Sequence, residues 1–240
     1  MTAAADGRSR PAQAAETGSR GIALASVIGG ALAGATVAFS IATSGLSAPA
    51  MPEELTRLIW YAIRVAGVSA YLALWLTTVA GLCISGQFGG RWLPGALLYP
   101  LHQLGDLALS LAVLHAALLL GDHYAGFTPA SLVVPFTATY RPLWTGLGIV
   151  ALYFSAIVYW SVHVRARIGY KAWRAIHLLS LVSFFFALAH GLASGTDSSV
   201  AAMRIMYLVT GQVTIGLVAL RIWRAKPKPP VRSRPAQARG

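Results

Sequence analysis

Residues 102–115, HQLGDLALSLAVLH, and residues 177–190, HLLSLVSFFFALAH, share one layout, with a histidine at each end of an apolar run. His102 and His115 stand thirteen residues apart, and so do His177 and His190. Each run belongs to a longer apolar stretch. Crossing about 30 Å of hydrocarbon takes roughly 20 such residues, at about 1.5 Å each along a helix. Ionisable side chains inside lipid-spanning helices are costly and usually mark function. The reading of these two stretches therefore sets both the fold and the site.

The rest of the chain agrees with a membrane setting. Of 240 residues, 56% are hydrophobic and only 11% are charged, whereas a soluble domain carries about a quarter charged residues. Six stretches are predicted to span, near 21–43, 58–84, 97–120, 142–163, 173–193 and 202–223. The expected fold class is an all-α, six-transmembrane-helix bundle. Residues 1–20 are read as a disordered tail, 21–223 as the membrane domain and 224–240 as a basic tail. The single cysteine, Cys83, excludes an internal disulfide and a cysteine-held iron–sulfur cluster.

Charge gives an orientation. Arg8, Arg10 and Arg20, then Arg91, then Arg165, Arg167, Lys171 and Arg174, then the run from Arg221 to Arg239 all fall on one side of the expected spans. The other side holds Glu53, Glu54, Arg57, Asp122, Arg141, Asp197 and Arg204. The positive-inside rule then predicts a multi-pass cell-membrane protein with both termini in the cytoplasm. The net charge of +12 is accounted for by topology and by attraction to anionic lipid, which argues against nucleic acid as a partner.

Within the first span, Gly30 to Gly34 form a small-xxx-small pattern suited to close helix contact. Cleavage as a signal peptide after Ser47-Ala48-Pro49-Ala50 is the alternative, against which stands an apolar length above the usual 7–15 residues. Pro94 and Pro100 bracket the entry to the third span and Pro142 opens the fourth, where a missing amide hydrogen costs nothing. Residues 121–141 form the longest predicted loop, on the outer side. Trp60, Tyr61, Trp92, Tyr99, Tyr140, Trp144, Trp160, Trp173, Tyr207 and Trp223 flank the spans as interfacial anchors do.

Odd-numbered spans run in the same direction, so His102 and His177 share one depth and His115 and His190 another. Thirteen residues rise about 19.5 Å, which expects two sites, one per leaflet, stacked between the third and fifth helices. Two axial histidines on each of two haem irons match this arrangement and leave no open position on the metal. Zinc is the weaker alternative, because it wants four ligands close together. One feature resists an ideal helix: thirteen steps of about 100° fall about 140° short of four turns, so tilt, a bulge or off-axis placement has to absorb the difference.

His123, beside Asp122, and His163, at the cytoplasmic end of the fourth span, are expected to be surface or interfacial. Asp106 follows His102 by four residues on nearly the same face. It is read as a satisfied structural carboxyl, a hydrogen-bond acceptor for a ligand histidine or a proton carrier. Arg64 and Arg174 either pair with haem propionates of the outer and inner sites or snorkel to the interface.

Trp60, Arg64, Gly67 and Ala70, then His102 and His115, then Arg167, Gly169, Trp173, His177, His190 and Gly191 together resemble the ferric-reductase-like transmembrane domain family. The resemblance covers roughly residues 55–223. That family includes the membrane parts of ferric reductases and NADPH oxidases and the haem subunit of bacterial methionine sulfoxide reductase systems. It implies two b-type haems, one held by His102 and His177, the other by His115 and His190. Ferric reductases and NADPH oxidases continue into flavin and nicotinamide domains, whereas about seventeen residues follow the last span here and no GxGxxG-like loop is present. The expectation is an electron-transfer subunit that binds no flavin through a domain of its own. A separate flavin reductase or quinol would supply electrons to an extracytoplasmic acceptor: ferric iron, oxygen or a redox protein. The alternatives are a six-helix cytochrome of the ascorbate-linked type, and a haem-free proton-coupled transporter or membrane anchor. Proton pathways usually need more buried carboxylates than Asp106 alone.

Overall fold

The computed structural model describes residues 52–86, 98–122 and 125–224, and of residues 98–102 the backbone only. The expected first span, both tails, the alternative cleavage point and His123 lie outside the described residues. What is described is all helical: α1 Glu53–Gly86, α2 Leu98–Leu118 with a 3-10 turn Leu119–Gly121, a short α3 Pro129–Val133, α4 Pro142–His177, α5 Leu179–Ser194, a 3-10 turn Thr196–Ser199, and α6 Ala201–Arg224.

Local chemistry sets the ends. Glu53 and Glu54 stand in the first turn of α1, where carboxylates complement the helix dipole, and Glu53 pairs with Arg57 at 2.8 Å. Thr128 caps α3 in a reciprocal box with Ser131, and Pro129 follows at the first helical position. Pro142 opens α4 in the same way, immediately after Arg141 turns the chain with a φ of 44°.

Among the described residues, four helical stretches are long and apolar enough to cross a membrane: Glu53–Gly86, Gln103–Gly121, Pro142–Ser194 and Ala201–Arg224. The protein is therefore a multi-pass, mostly helical integral-membrane protein. Its surface agrees. Leu58, Val65, Ile205 and Leu208 are exposed, while Ser183 and Thr214 are fully buried. Lipid solvates the first set, and small polar residues allow close helix contact inside.

The third of those stretches departs from expectation. Residues 142–163 and 173–193 were expected as two spans with a loop between them. Instead the helix continues through Arg165 and Arg167 up to Gly169, where φ is 79° and ψ 161°. Arginine and alanine are good helix formers, so the basic segment stays helical, and a single glycine reverses the chain. The two arms then run antiparallel. Ser155 and Ser183 hydroxyls meet at 2.8 Å, the Phe154 and Phe186 rings stack at 6.0 Å, and His190 reaches the Trp144 carbonyl.

Contacts fix the other directions. Gly121 packs on Ile59 and Gly67 on His115, so α1 and α2 are antiparallel. Ser85 bonds Arg221 and Tyr71 bonds Thr210, so α1 and α6 are parallel. Gly191 meets Tyr207 and Gly211 meets Leu188, so α5 and α6 are antiparallel. It follows that α2 and α5 run the same way. Tyr71, Phe184 and Tyr207 form the aromatic core that ties α1, α5 and α6 together.

Candidate metal centre

Between the α1–α2 hairpin and the hairpin formed by α4 and α5 lies a cavity of about 1730 Å³. It reaches from Arg64, Asp122 and Asp197 at one end to Arg165, Arg174 and Arg221 at the other. Small side chains keep it wide: Gly105, Ala108, Ala112 and Ala116 on α2 recur every three or four residues and all face it. Ligand pockets usually measure about 300–1,000 Å³, so this one has room for more than a single bound group.

His115 and His190 project into it from the parallel helices α2 and α5. Their ring centres are 6.4 Å apart and their planes cross at 76°. Each ring is held in the same way. Nδ1 of His115 lies 2.9 Å from the carbonyl oxygen of Ile63 on α1. Nδ1 of His190 lies 2.9 Å from that of Trp144 on α4. A carbonyl only accepts, so Nδ1–H donates in both and Nε2 keeps its lone pair. This is the tautomer that ligates metal through Nε2, with the second nitrogen oriented by a backbone carbonyl.

Two glycines make room for the rings. A Cβ on Gly67 would come within 2.9 Å of Nδ1 of His115, and one on Gly148 within 2.7 Å of Nδ1 of His190. Each glycine stands four residues after the residue whose carbonyl binds the ring, which puts both on one helix face. The two hairpins thus repeat one device about the cavity.

The spacing can be tested against a metal. A metal–imidazole nitrogen bond measures about 2.1 Å, and a five-membered ring with bonds of about 1.35 Å has a radius of about 1.1 Å. Two imidazoles on opposite sides of one metal therefore have centres about 6.4 Å apart, the separation found here. The donor set, the glycine cradle and the roomy apolar walls fit a planar macrocycle with two axial histidines. Among the described residues no three or more His, Cys, Asp or Glu side chains converge, so a tetrahedral zinc set finds no ligands there.

The other expected site residues fall as follows. Arg64 lines the same end of the cavity as His115 and His190. It stacks over Trp60 at 3.0 Å, its Nε donates to Asp197 at 2.5 Å, and it also bonds the Thr196 hydroxyl. His177 lines the opposite end, its ring stacked on Trp173 at 5.0 Å. Arg174 is exposed beside it, with Tyr170 as a distant partner at 3.5 Å. The backbone of His102 is helical, and its side chain lies outside the described residues, as does any pairing with His177. Asp106 lines the cavity near Tyr159. His163 sits at the surface against Tyr159 and Trp160.

His177 and His190 do not share one uninterrupted helix. Leu178 separates α4 from α5, and the bonds Leu178 to Ala175 and Leu181 to Leu178 close tighter three-residue turns. Each such step rotates about 120° instead of about 100°, so four of them recover about 80° of the shortfall. Both histidines line the cavity. Missed in the sequence were Gly148, Asp197 and the two carbonyl partners; the pair of matched glycines one turn beyond Ile63 and Trp144 was the available sign.

Comparison with family models, curated proteins and solved structures gives no match for this chain.

Proposed function

We propose that the chain is a transmembrane b-type cytochrome that carries electrons from one membrane face to the other. The observation that supports it is the histidine pair, His115 and His190, with ring centres 6.4 Å apart and each Nδ1 anchored on a main-chain carbonyl. These two would hold one haem b. His102 and His177 would hold a second, at the opposite end of the cavity. When bound, each haem would supply a one-electron ferric–ferrous couple.

The chain's own groups do the remaining work. The carbonyls of Ile63 and Trp144 keep each imidazole in its ligating tautomer and resist rotation. The Gly67 and Gly148 faces fix ring depth. The apolar helix walls exclude water and so favour the less charged state of the centre. Arg64, held by Asp197, lies beside the His115–His190 end as the cation for an anionic edge of the bound group. By the positive-inside rule that end faces outward. With the interior negative, an electron moving outward gains about 2.3 kcal/mol per 100 mV. A separate flavoprotein or quinol is the donor, and ferric iron, oxygen or a redox protein the acceptor.

The test is a reduced-minus-oxidised absorption spectrum of the purified protein with haem quantified, alongside His190→Ala and His177→Ala. The wild type should bind two haems, and each variant should lose one and keep the other. A colourless protein would end the reading; a haem-free transporter or anchor would then stand. Equal loss of both haems in both variants would overturn the assignment of two separate sites.

A further inference from the structure

At the His177 end of the cavity three rings adjoin in series along one helix. Tyr170 and Trp173 have centres 5.8 Å apart with planes at 37°, and Trp173 and His177 centres 5.0 Å apart with planes at 27°. Tyr170, at the turn that Gly169 makes, is 55% exposed, whereas the indole nitrogen of Trp173 is buried. The series therefore leads from the surface to a candidate ligand. Arg165 lies over both rings, 5.6 Å from Tyr170 and 4.4 Å from Trp173, and holds them in place by cation–π attraction.

The surroundings are strongly basic. Arg165, Arg167, Lys171 and Arg174 are all exposed around Tyr170. Of the described acidic residues, Glu53 and Glu54 belong to the start of α1, and Asp122 and Asp197 to the opposite cavity end. Asp106 is inside. Among the described residues the collar therefore carries a clear excess of cations over carboxylates. An exposed aromatic ringed by cations, and linked through Trp173 to a histidine that lines the cavity, has two properties that an electron-entry port needs: charge to steer a partner and a short path to the candidate site.

We propose that the Tyr170 turn is the docking port for a soluble electron-donor protein with an acidic surface, and that Tyr170 and Trp173 form the path from it to the His177 site. The inference rests on the cytochrome reading above. One electron leaves the docked donor, whose reduced flavin is oxidised, and one ferric iron becomes ferrous; the two rings are neither oxidised nor reduced overall. Anionic lipid is the competing occupant of such a collar. Against it, the ring series points into the cavity, and lipid binding has no use for that path.

The experiment uses the full-length protein in nanodiscs of uncharged lipid and a reduced, acidic flavodoxin as probe. Binding is measured by titration, first with apoprotein and then with haem-loaded protein. Wild type should bind, and the affinity should fall with added salt. The double variant Arg167→Glu, Lys171→Glu should bind about tenfold more weakly or less. Trp173→Leu, at equal haem content, should dock as wild type does but slow reduction by the flavodoxin far more than reduction by a small uncharged reductant. Binding unaffected by charge reversal overturns the port. So does binding that vanishes when anionic lipid is added to the discs, because the collar is then a lipid site. A protein that takes up no haem on reconstitution, yet binds the flavodoxin with this salt dependence, would sink the cytochrome reading and leave the docking surface standing.

Discussion

A methyl group at position 148 would occupy the space in which the His190 ring stands. The built Cβ lies 2.7 Å from Nδ1, closer than real contacts allow, and forcing it in costs about 1–3 kcal/mol or moves the ring. Gly148→Ala should therefore break the bond to Trp144, and Gly67→Ala the equivalent bond to Ile63. The readout is electron paramagnetic resonance of the oxidised, haem-loaded protein. The His115 and His190 ring planes cross at 76°; were the rings to hold the proposed haem at that angle, its oxidised low-spin signal would be strongly anisotropic. That signal should be lost or shifted in either variant, while the signal of the second site persists. An unchanged spectrum in Gly148→Ala would refute the cradle. The histidines were legible in the sequence because an ionisable residue in an apolar run has few explanations. The glycines were not, because glycine serves many purposes in membrane helices, and a main-chain carbonyl partner leaves no side-chain sign at all.

Among the elements, the α4–α5 hairpin depends on one residue. Gly169 combines φ 79° with ψ 161°, a region open essentially to glycine alone, where another residue costs about 1–3 kcal/mol. A Cβ there meets nothing within 4 Å, so the penalty is conformational and not steric crowding. Gly169→Ala should lower the thermal midpoint of the detergent-solubilised protein and perturb the His177 end more than the His115–His190 end, which the cytochrome proposal reads as uneven loss of two haem signals. Equal midpoints for variant and wild type would mean that the turn tolerates rearrangement. Both spans of this hairpin were recognisable by apolar length. Their junction was not, because Arg165, Arg167 and Lys171 read as a polar loop, although arginine and lysine propagate a helix as readily as leucine does. The break at Leu178 had no local sign either: leucine is a strong helix former, and the tightened turn there is a tertiary effect.

For the whole molecule, the directions of the described helices turn the two histidine segments into parallel partners. The basic residues Arg165, Arg167, Lys171, Arg174 and Arg221 then gather at one end, with Asp122 and Asp197 at the other. Membrane insertion responds to this asymmetry by retaining lysine and arginine in the cytoplasm, so the Gly169 turn is expected inside and the 125–141 connection outside. The native chain has one cysteine, Cys83, and Cys83→Ser provides a clean background for labelling. In that background Thr139→Cys, on the exposed outer connection, should react with a membrane-impermeant maleimide on intact cells. Lys171→Cys should react only after permeabilisation. The reverse pattern would invert the proposed electron path, because the His115–His190 site would then face the cytoplasm and the voltage argument would change sign. Labelling of Lys171→Cys under both conditions, with intact haem, would show that the Gly169 turn reaches the outer face and would remove the basis for a donor docking there. The orientation is thus the point on which the donor port at the Gly169 turn and the direction of the proposed transfer depend together.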